Sequence, residues 1–126
     1  MTPRNDALAF DQMAEAANRA VRYAVGSSPD GLASDSMRAD AILRSIGVLG
    51  EAAGRVRPDV RKRFPDLPWK EMKGMRNALI HDYDRVNWSI VWETLTVHIP
   101  AMMPALVEAQ AQMVAEQLPP PEESME

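Results

Sequence analysis

The stretch RNALIHDY, residues 76–83, sets Arg76, His81 and Tyr83 within eight positions of one another in a chain with two histidines and no cysteine. An imidazole titrates near about 6.5, so it takes or gives a proton at neutral pH. A guanidinium carries a permanent charge on a planar fork of donors suited to an anionic centre. Together they offer proton transfer beside charge stabilisation. On an ideal helix of about 100° per residue, Arg76 and Tyr83 fall within about 20° of one another. His81 lies about 140° round from Arg76 on the same wheel. The three groups therefore converge only where a helix end loosens. The same residues also suit a plain helix end. His81 would then complement the negative pole of the helix, worth about 0.3–1 kcal/mol. Tyr83 would be a half-buried anchor, and Arg76 would pair with an acid.

The elements that must carry the motif read as all-α, because alternating β-branched strand patterns are almost absent. A first helix is expected from about Asp6 to Val25, with Phe10, Met13, Ala14, Ala17, Val21 and Ala24 recurring at three- and four-residue steps. GSSPDG, residues 26–31, stops it. A second spans about Asp35 to Val56, with Ile42, Ile46, Leu49, Ala53 and Val56 on one stripe and the pairs Asp40–Arg44 and Glu51–Arg55 opposite. VRPDVRKRFPDLPW, residues 56–69, holds three prolines and reads as a connector with one short helical turn. The third helix, from about Pro68 to Asp82, holds the motif, with Pro68 in its first turn. Asn87 caps a fourth, whose apolar stripe is Trp88, Trp92, Leu95, Ile99, Met102, Leu106 and Met113. Pro100 and Pro104 predict a kink, or a break and restart, near residue 100. Short connections argue for an up-down four-helix bundle over residues 1–117 with a disordered Pro/Glu tail, 118–126.

At 126 residues the chain is expected to form one domain, which would gain from a partner covering apolar area. No run of eighteen apolar residues marks a membrane span, and the N-terminus shows no signal pattern. The lack of cysteine excludes disulfides and thiolate metal sites and fits a cytoplasmic setting. The net charge of −4 hides an asymmetry. Residues 1–54 carry 5 positive and 7 negative side chains, residues 55–85 carry 9 and 5, and residues 86–126 carry none and 6. A polyanion is therefore drawn to the middle of the chain.

Around the motif stand Gly50-Glu51-Ala52, Pro68-Trp69, Gly74-Met75-Arg76-Asn77, His81, Tyr83, Val86 and Val91-Trp92. With these flanks, roughly residues 5–108 resemble the HepT-like branch of the HEPN helical-bundle proteins. Asn87 departs from the aspartate usual in that branch, but both residues cap a helix.

The resemblance implies a metal-independent endoribonuclease, the toxin half of a toxin–antitoxin pair, with Arg76 and His81 as catalytic residues and Asn77 as a polar helper. It also implies a homodimer in which two motifs face one cleft. The implied partner is a minimal nucleotidyltransferase antitoxin, which transfers AMP onto Tyr83, and a larger hetero-oligomer of the dimer with that antitoxin is compatible with the resemblance. No cofactor is implied. Candidates for holding the RNA are Arg55, Arg57, Arg61, Lys62, Arg63, Lys70, Lys73 and Arg85, each of which also suits a merely solvated face. Trp69 suits a core anchor better than a base-stacking platform, and His98 a structural or capping place. His81 and His98 with Asp82 and Asp84 have no recognised metal-ligand spacing. An alternative is a non-catalytic helical module that docks on a nucleotidyltransferase and assists nucleotide or substrate binding. A plain structural bundle would have no nucleic-acid role.

Overall fold

The computed structural model describes residues 3–81 and 86–117, of which 3, 4 and 76–81 by backbone only. The described residues form helices and no strand: α1 (Pro3–Ala24), α2 (Pro29–Ser34), α3 (Ser36–Arg55), α4 (Pro58–Arg61), α5 (Trp69–His81), α6 (Trp88–Glu93) and α7 (Ile99–Gln117).

The alanine content of α1 explains its place. Ala7, Ala9, Ala16, Ala17 and Ala20 are buried beside Phe10 and Met13, so side chains on more than one face leave solvent. Small side chains let α3 and α7 approach from two sides. Gly26, at φ +79°, ends the helix in the left-handed conformation that glycine adopts without penalty. The turn expected over 26–31 is shorter than its composition suggested, because Ser28 and Pro29 start α2. The Ser28 hydroxyl accepts from the Gly31 N–H at 3.0 Å, and proline occupies the first helical position.

Neighbouring long helices run antiparallel. Arg55 and Arg57, at the end of α3, bond to Gln12 and Asp6 of early α1. Gln110, late in α7, donates to Asp11 of early α1 at 2.9 Å. The start of α5 packs its Trp69 on Phe10 of early α1, while Lys73 passes over Gly54 at the end of α3. The expected α3 stripe, Ile42, Ile46, Leu49, Ala53 and Val56, is buried throughout.

The last helix is continuous from Trp88 to Gln117 rather than broken at residue 100. The disturbance takes the form of a π-helical turn, Thr94–His98, just before Pro100. The Ile99 N–H reaches back to the Thr94 carbonyl, one residue further than in an α-helix. That widening opens the carbonyl ladder where the ring of Pro100 would otherwise clash with it. Thr94 and Thr96 take the carbonyls of Ile90 and Trp92 with their hydroxyls, at 3.0 and 2.8 Å. Pro104 sits inside α7. By length and composition this segment could cross a membrane. In the bundle its Leu95, Ile99, Met102, Leu106, Ala109 and Met113 are buried in the core. The tail 118–126 lies outside the described residues.

Candidate functional site

Positions 76–81 of the motif ride on α5, and the connector before it sets how that helix is turned. Pro68 lies one residue before the helix, and its carbonyl accepts from the Met72 N–H at 2.9 Å. Trp69 is clamped from two sides. Its indole N–H donates to the Phe64 carbonyl at 3.0 Å, and its ring meets Phe10 edge-on at 5.8 Å. Phe64 closes the cluster on Phe10 at 5.3 Å. Trp69 is thus a core anchor. Met72 is fully buried, and Met75 packs half-buried on the core.

These three residues share one flank of α5, and the rest of the helix is placed by their rotation. Taking position 70 as zero, positions 69, 72 and 75 span about 140° to 260° on the wheel. Positions 70, 73, 74, 77 and 81 lie opposite, within about 100° of one another. Lys70, Lys73 and Gly74 are accordingly exposed. Position 76 falls on the flank shared with Trp69 and Met72. Because α5 stays helical through His81, the loosening expected at the motif does not begin before that residue. Positions 76 and 81 therefore remain about 140° apart around one axis. Tyr83 and Arg85, with Asp82 and Asp84, lie outside the described residues.

The basic segment is not one uniform surface. Arg55 is exposed but bonded to Gln12 at 2.6 Å and Glu51 at 3.1 Å. Arg57 donates from Nε to Oδ2 of the sealed Asp6 carboxylate at 2.9 Å. Arg61 turns back on the end of α3, donating to the carbonyls of Val56 at 2.8 Å and Gly54 at 3.3 Å. Arg63 grips Glu116 of α7 with both terminal nitrogens. The Glu116 hydrogen bond holds the guanidinium above its ordinary value, and the same bond holds the Glu116 carboxyl below the usual carboxylate range. Lys62, Lys70 and Lys73 are exposed, and among the described residues none of them makes an ion pair.

His98 is exposed at the end of the π turn, with Nε2 3.4 Å from Glu93 Oε1. It borders a hollow of about 520 Å³ between the start of α5 and α7, walled by Pro68, Met75, Ala101 and Met102 and rimmed by Asp66 and Glu71. Among the described residues no cluster of histidine, aspartate and glutamate could hold a metal ion. Nothing local in the sequence marks Asp6 or Glu116 as an ion-pair partner, because the arginine each one meets lies 51 or 53 residues away.

The geometry can be set beside known proteins. Residues 13–109 match a family model described as Ribonuclease HepT-like, a span that includes the whole of RNALIHDY. A Methanocaldococcus jannaschii protein named as a putative RNase is 31% identical over 86 residues, 68% of this chain and 79% of that protein. One from Caldanaerobacter subterraneus, named in the same way, is 38% identical over 77 residues, 61% of this chain and 69% of that protein. A Thermococcus cleftensis protein named "Probable ribonuclease HepT" is 36% identical over 62 residues, 49% of this chain and 56% of that protein. No solved structure matches this chain. A chain whose described residues form an all-α bundle, whose sequence holds Arg-x4-His-x-Tyr, and which the family model matches over most of its length belongs to the HepT-like ribonuclease family.

Proposed function

We propose that this protein is a metal-independent endoribonuclease toxin that cleaves RNA through Arg76 and His81 and is silenced by AMP transfer onto Tyr83. The observation that carries the reading is the family match across residues 13–109, with the motif inside it. In the cleavage step, an imidazole takes the proton of a 2′-hydroxyl and the 2′-oxygen attacks the adjacent phosphorus. The bond to the 5′-oxygen breaks, and that oxygen leaves with a proton from a second donor. Positioned proton transfer contributes about 10²–10⁴ in rate. The Arg76 guanidinium stabilises the crowded, negatively charged phosphorus centre, and loss of one such donor costs about 3–4 kcal/mol. Asn77 supports the pair as a polar helper.

The separation of positions 76 and 81 on one uninterrupted helix supports a site completed by a second copy. A homodimer with two motifs in one cleft divides the acid and base roles between its subunits. The silencing partner is a minimal nucleotidyltransferase acting in the cytoplasm. AMP on Tyr83 brings a phosphodiester charge beside the pair, which repels RNA by the same electrostatics that bind it.

Two measurements test this reading. RNA is incubated with purified protein in excess EDTA, comparing wild type with a folded His81→Ala variant. Cleavage by the wild type alone supports the reading. Cleavage by the variant removes His81 from the chemistry, and loss of wild-type cleavage in EDTA removes metal independence. Intact mass is then measured after co-expression with a nucleotidyltransferase encoded beside this gene. An AMP-sized addition absent from Tyr83→Phe locates the switch. An unmodified wild type instead favours a bundle that binds its partner without being altered.

A further inference from the structure

We infer that Lys70 and Lys73 form the approach by which a single RNA strand reaches the site, running along the outer face of α5 toward position 81. The inference rests on the ribonuclease reading and adds to it which cations meet the substrate and from which side.

The chain has three lysines, all between residues 62 and 73, and eleven arginines. Among the described side chains of the basic segment the two residue types have separate roles. Arg57 neutralises the sealed carboxylate of Asp6, Arg61 closes the carbonyl end of α3, and Arg63 ties the connector to α7 through Glu116. Arg55 is shared between Gln12 and Glu51. Each of these arginines already uses donors on the protein itself, so a phosphate finds fewer of them free. Lys70 and Lys73 have no ion-pair partner among the described residues and are exposed one turn apart on α5.

The helix itself aligns them. With Trp69, Met72 and Met75 turned to the core, positions 70, 73, 74, 77 and 81 make one track on the opposite side. It rises about 16 Å over eleven residues. Gly74 lies within that track, and a Cβ there would meet nothing within 4 Å. The track is therefore open just past the lysines, on the way to position 77, where a phosphate can come close to the backbone. The neighbouring flank carries Asp66 and Glu71 around the hollow that His98 borders, so it repels a polyanion. One convex row of charge follows one backbone. Readers of double-stranded RNA instead contact both strands across the minor groove.

The test is binding of a fluorescent 12-nucleotide oligouridylate with 2′-O-methyl sugars, which cannot undergo 2′-attack. It compares the wild type, Lys70→Gln/Lys73→Gln, and the charge-matched Arg19→Gln/Arg22→Gln, with the fold of each checked by circular dichroism. Removing two phosphate contacts to a single strand lowers the steepness of log affinity against log salt by about 1.4. At 0.1 M salt that corresponds to roughly ten- to thirty-fold weaker binding. The arginine control should stay within about two-fold of the wild type. A lysine variant no weaker than the control overturns the inference while leaving the ribonuclease reading intact. Tighter binding of a 12-base-pair RNA duplex than of the single strand overturns the single-strand assignment. A wild type that neither binds this probe nor cleaves unmodified RNA removes the ribonuclease reading, and the inference with it.

Discussion

Arg57 and Asp6 form the one ion pair in the described bundle with a fully sealed partner: Arg57 Nε stands 2.9 Å from Oδ2 of an aspartate with 0% exposure. The backbone N–H of Arg57 also donates to Oδ1 at 3.4 Å, so both carboxylate oxygens are satisfied by the junction between α3 and α4. The pair pins the first turns of α1 to the connector that leads into α5. It therefore acts on the site through the backbone rather than through chemistry.

Removing the arginine leaves a buried carboxylate without its charge partner, at a cost of about 3–5 kcal/mol. Arg57→Ala should lower the thermal midpoint by roughly 10 °C or more. The double variant Asp6→Leu/Arg57→Leu should recover most of that loss, because a buried pair is often replaced by apolar residues at little cost. Thermal unfolding followed by circular dichroism reads both. An Arg57→Ala variant as stable as the wild type would show that the pair contributes little.

Trp69 gives a second prediction that separates packing from hydrogen bonding. Trp69→Phe loses the donation to the Phe64 carbonyl while keeping an aromatic ring, and should cost about 0.5–1.5 kcal/mol. Trp69→Ala also empties the space beside Phe10 and should cost about 3 kcal/mol or more. Denaturant titration measures each. Equal losses for the two variants would mean that the hydrogen bond, not the ring, anchors the start of α5.

The Arg63–Glu116 pair predicts a pH dependence with a definite sign. Its hydrogen bond lowers the Glu116 carboxyl in the folded state. The stabilisation is therefore fully present above the ordinary glutamate value near about 4.3 and is lost as pH falls through the lower folded value. Both side chains are 39% exposed, so solvent screening limits the effect to about 1 kcal/mol. Glu116→Gln should narrow the stability gap between pH 7 and pH 3 by that amount, as read from urea midpoints at the two pH values. An unchanged gap would show that the pair is worth nothing in solution.

The proposed chemistry separates the two motif residues. His81→Ala should reduce single-turnover cleavage by about 10²–10⁴. Arg76→Lys keeps the charge but loses the planar fork, and should still cost more than about ten-fold in rate with little change in RNA affinity. Single-turnover rates set against binding of the 2′-O-methyl probe separate the two effects. A rate loss at Arg76→Lys matched by an equal loss of affinity would make Arg76 a binding residue instead.

Much of this molecule was legible in the chain because helix signals are local. The periodicity of Ile42, Ile46, Leu49, Ala53 and Val56 marked the buried face of α3, and Asn87 took its place at the start of α6, accepting from Ser89 and Ile90. The short helix α2 was not legible: Ser28 followed by Pro29 can start a helix, but the run of turn formers around them reads as a stop. The two prolines marked a disturbance near residue 100, yet not its form. Whether a helix breaks, bends or widens depends on whether the core rewards continuation, and buried Leu95, Ile99 and Met102 do so across the π turn.

The sequence by itself determined the helices, their apolar faces and the Arg-x4-His-x-Tyr spacing, because each of these depends on neighbours within a few turns. Only the tertiary structure decided which cations are engaged and how α5 is rotated. Those depend on Asp6, Glu116 and Phe10, which meet Arg57, Arg63 and Trp69 only when α1 and α7 close on the connector. The physical reason is that an ion pair or an aromatic contact is fixed by distance in space, and separation along the chain carries no information about it.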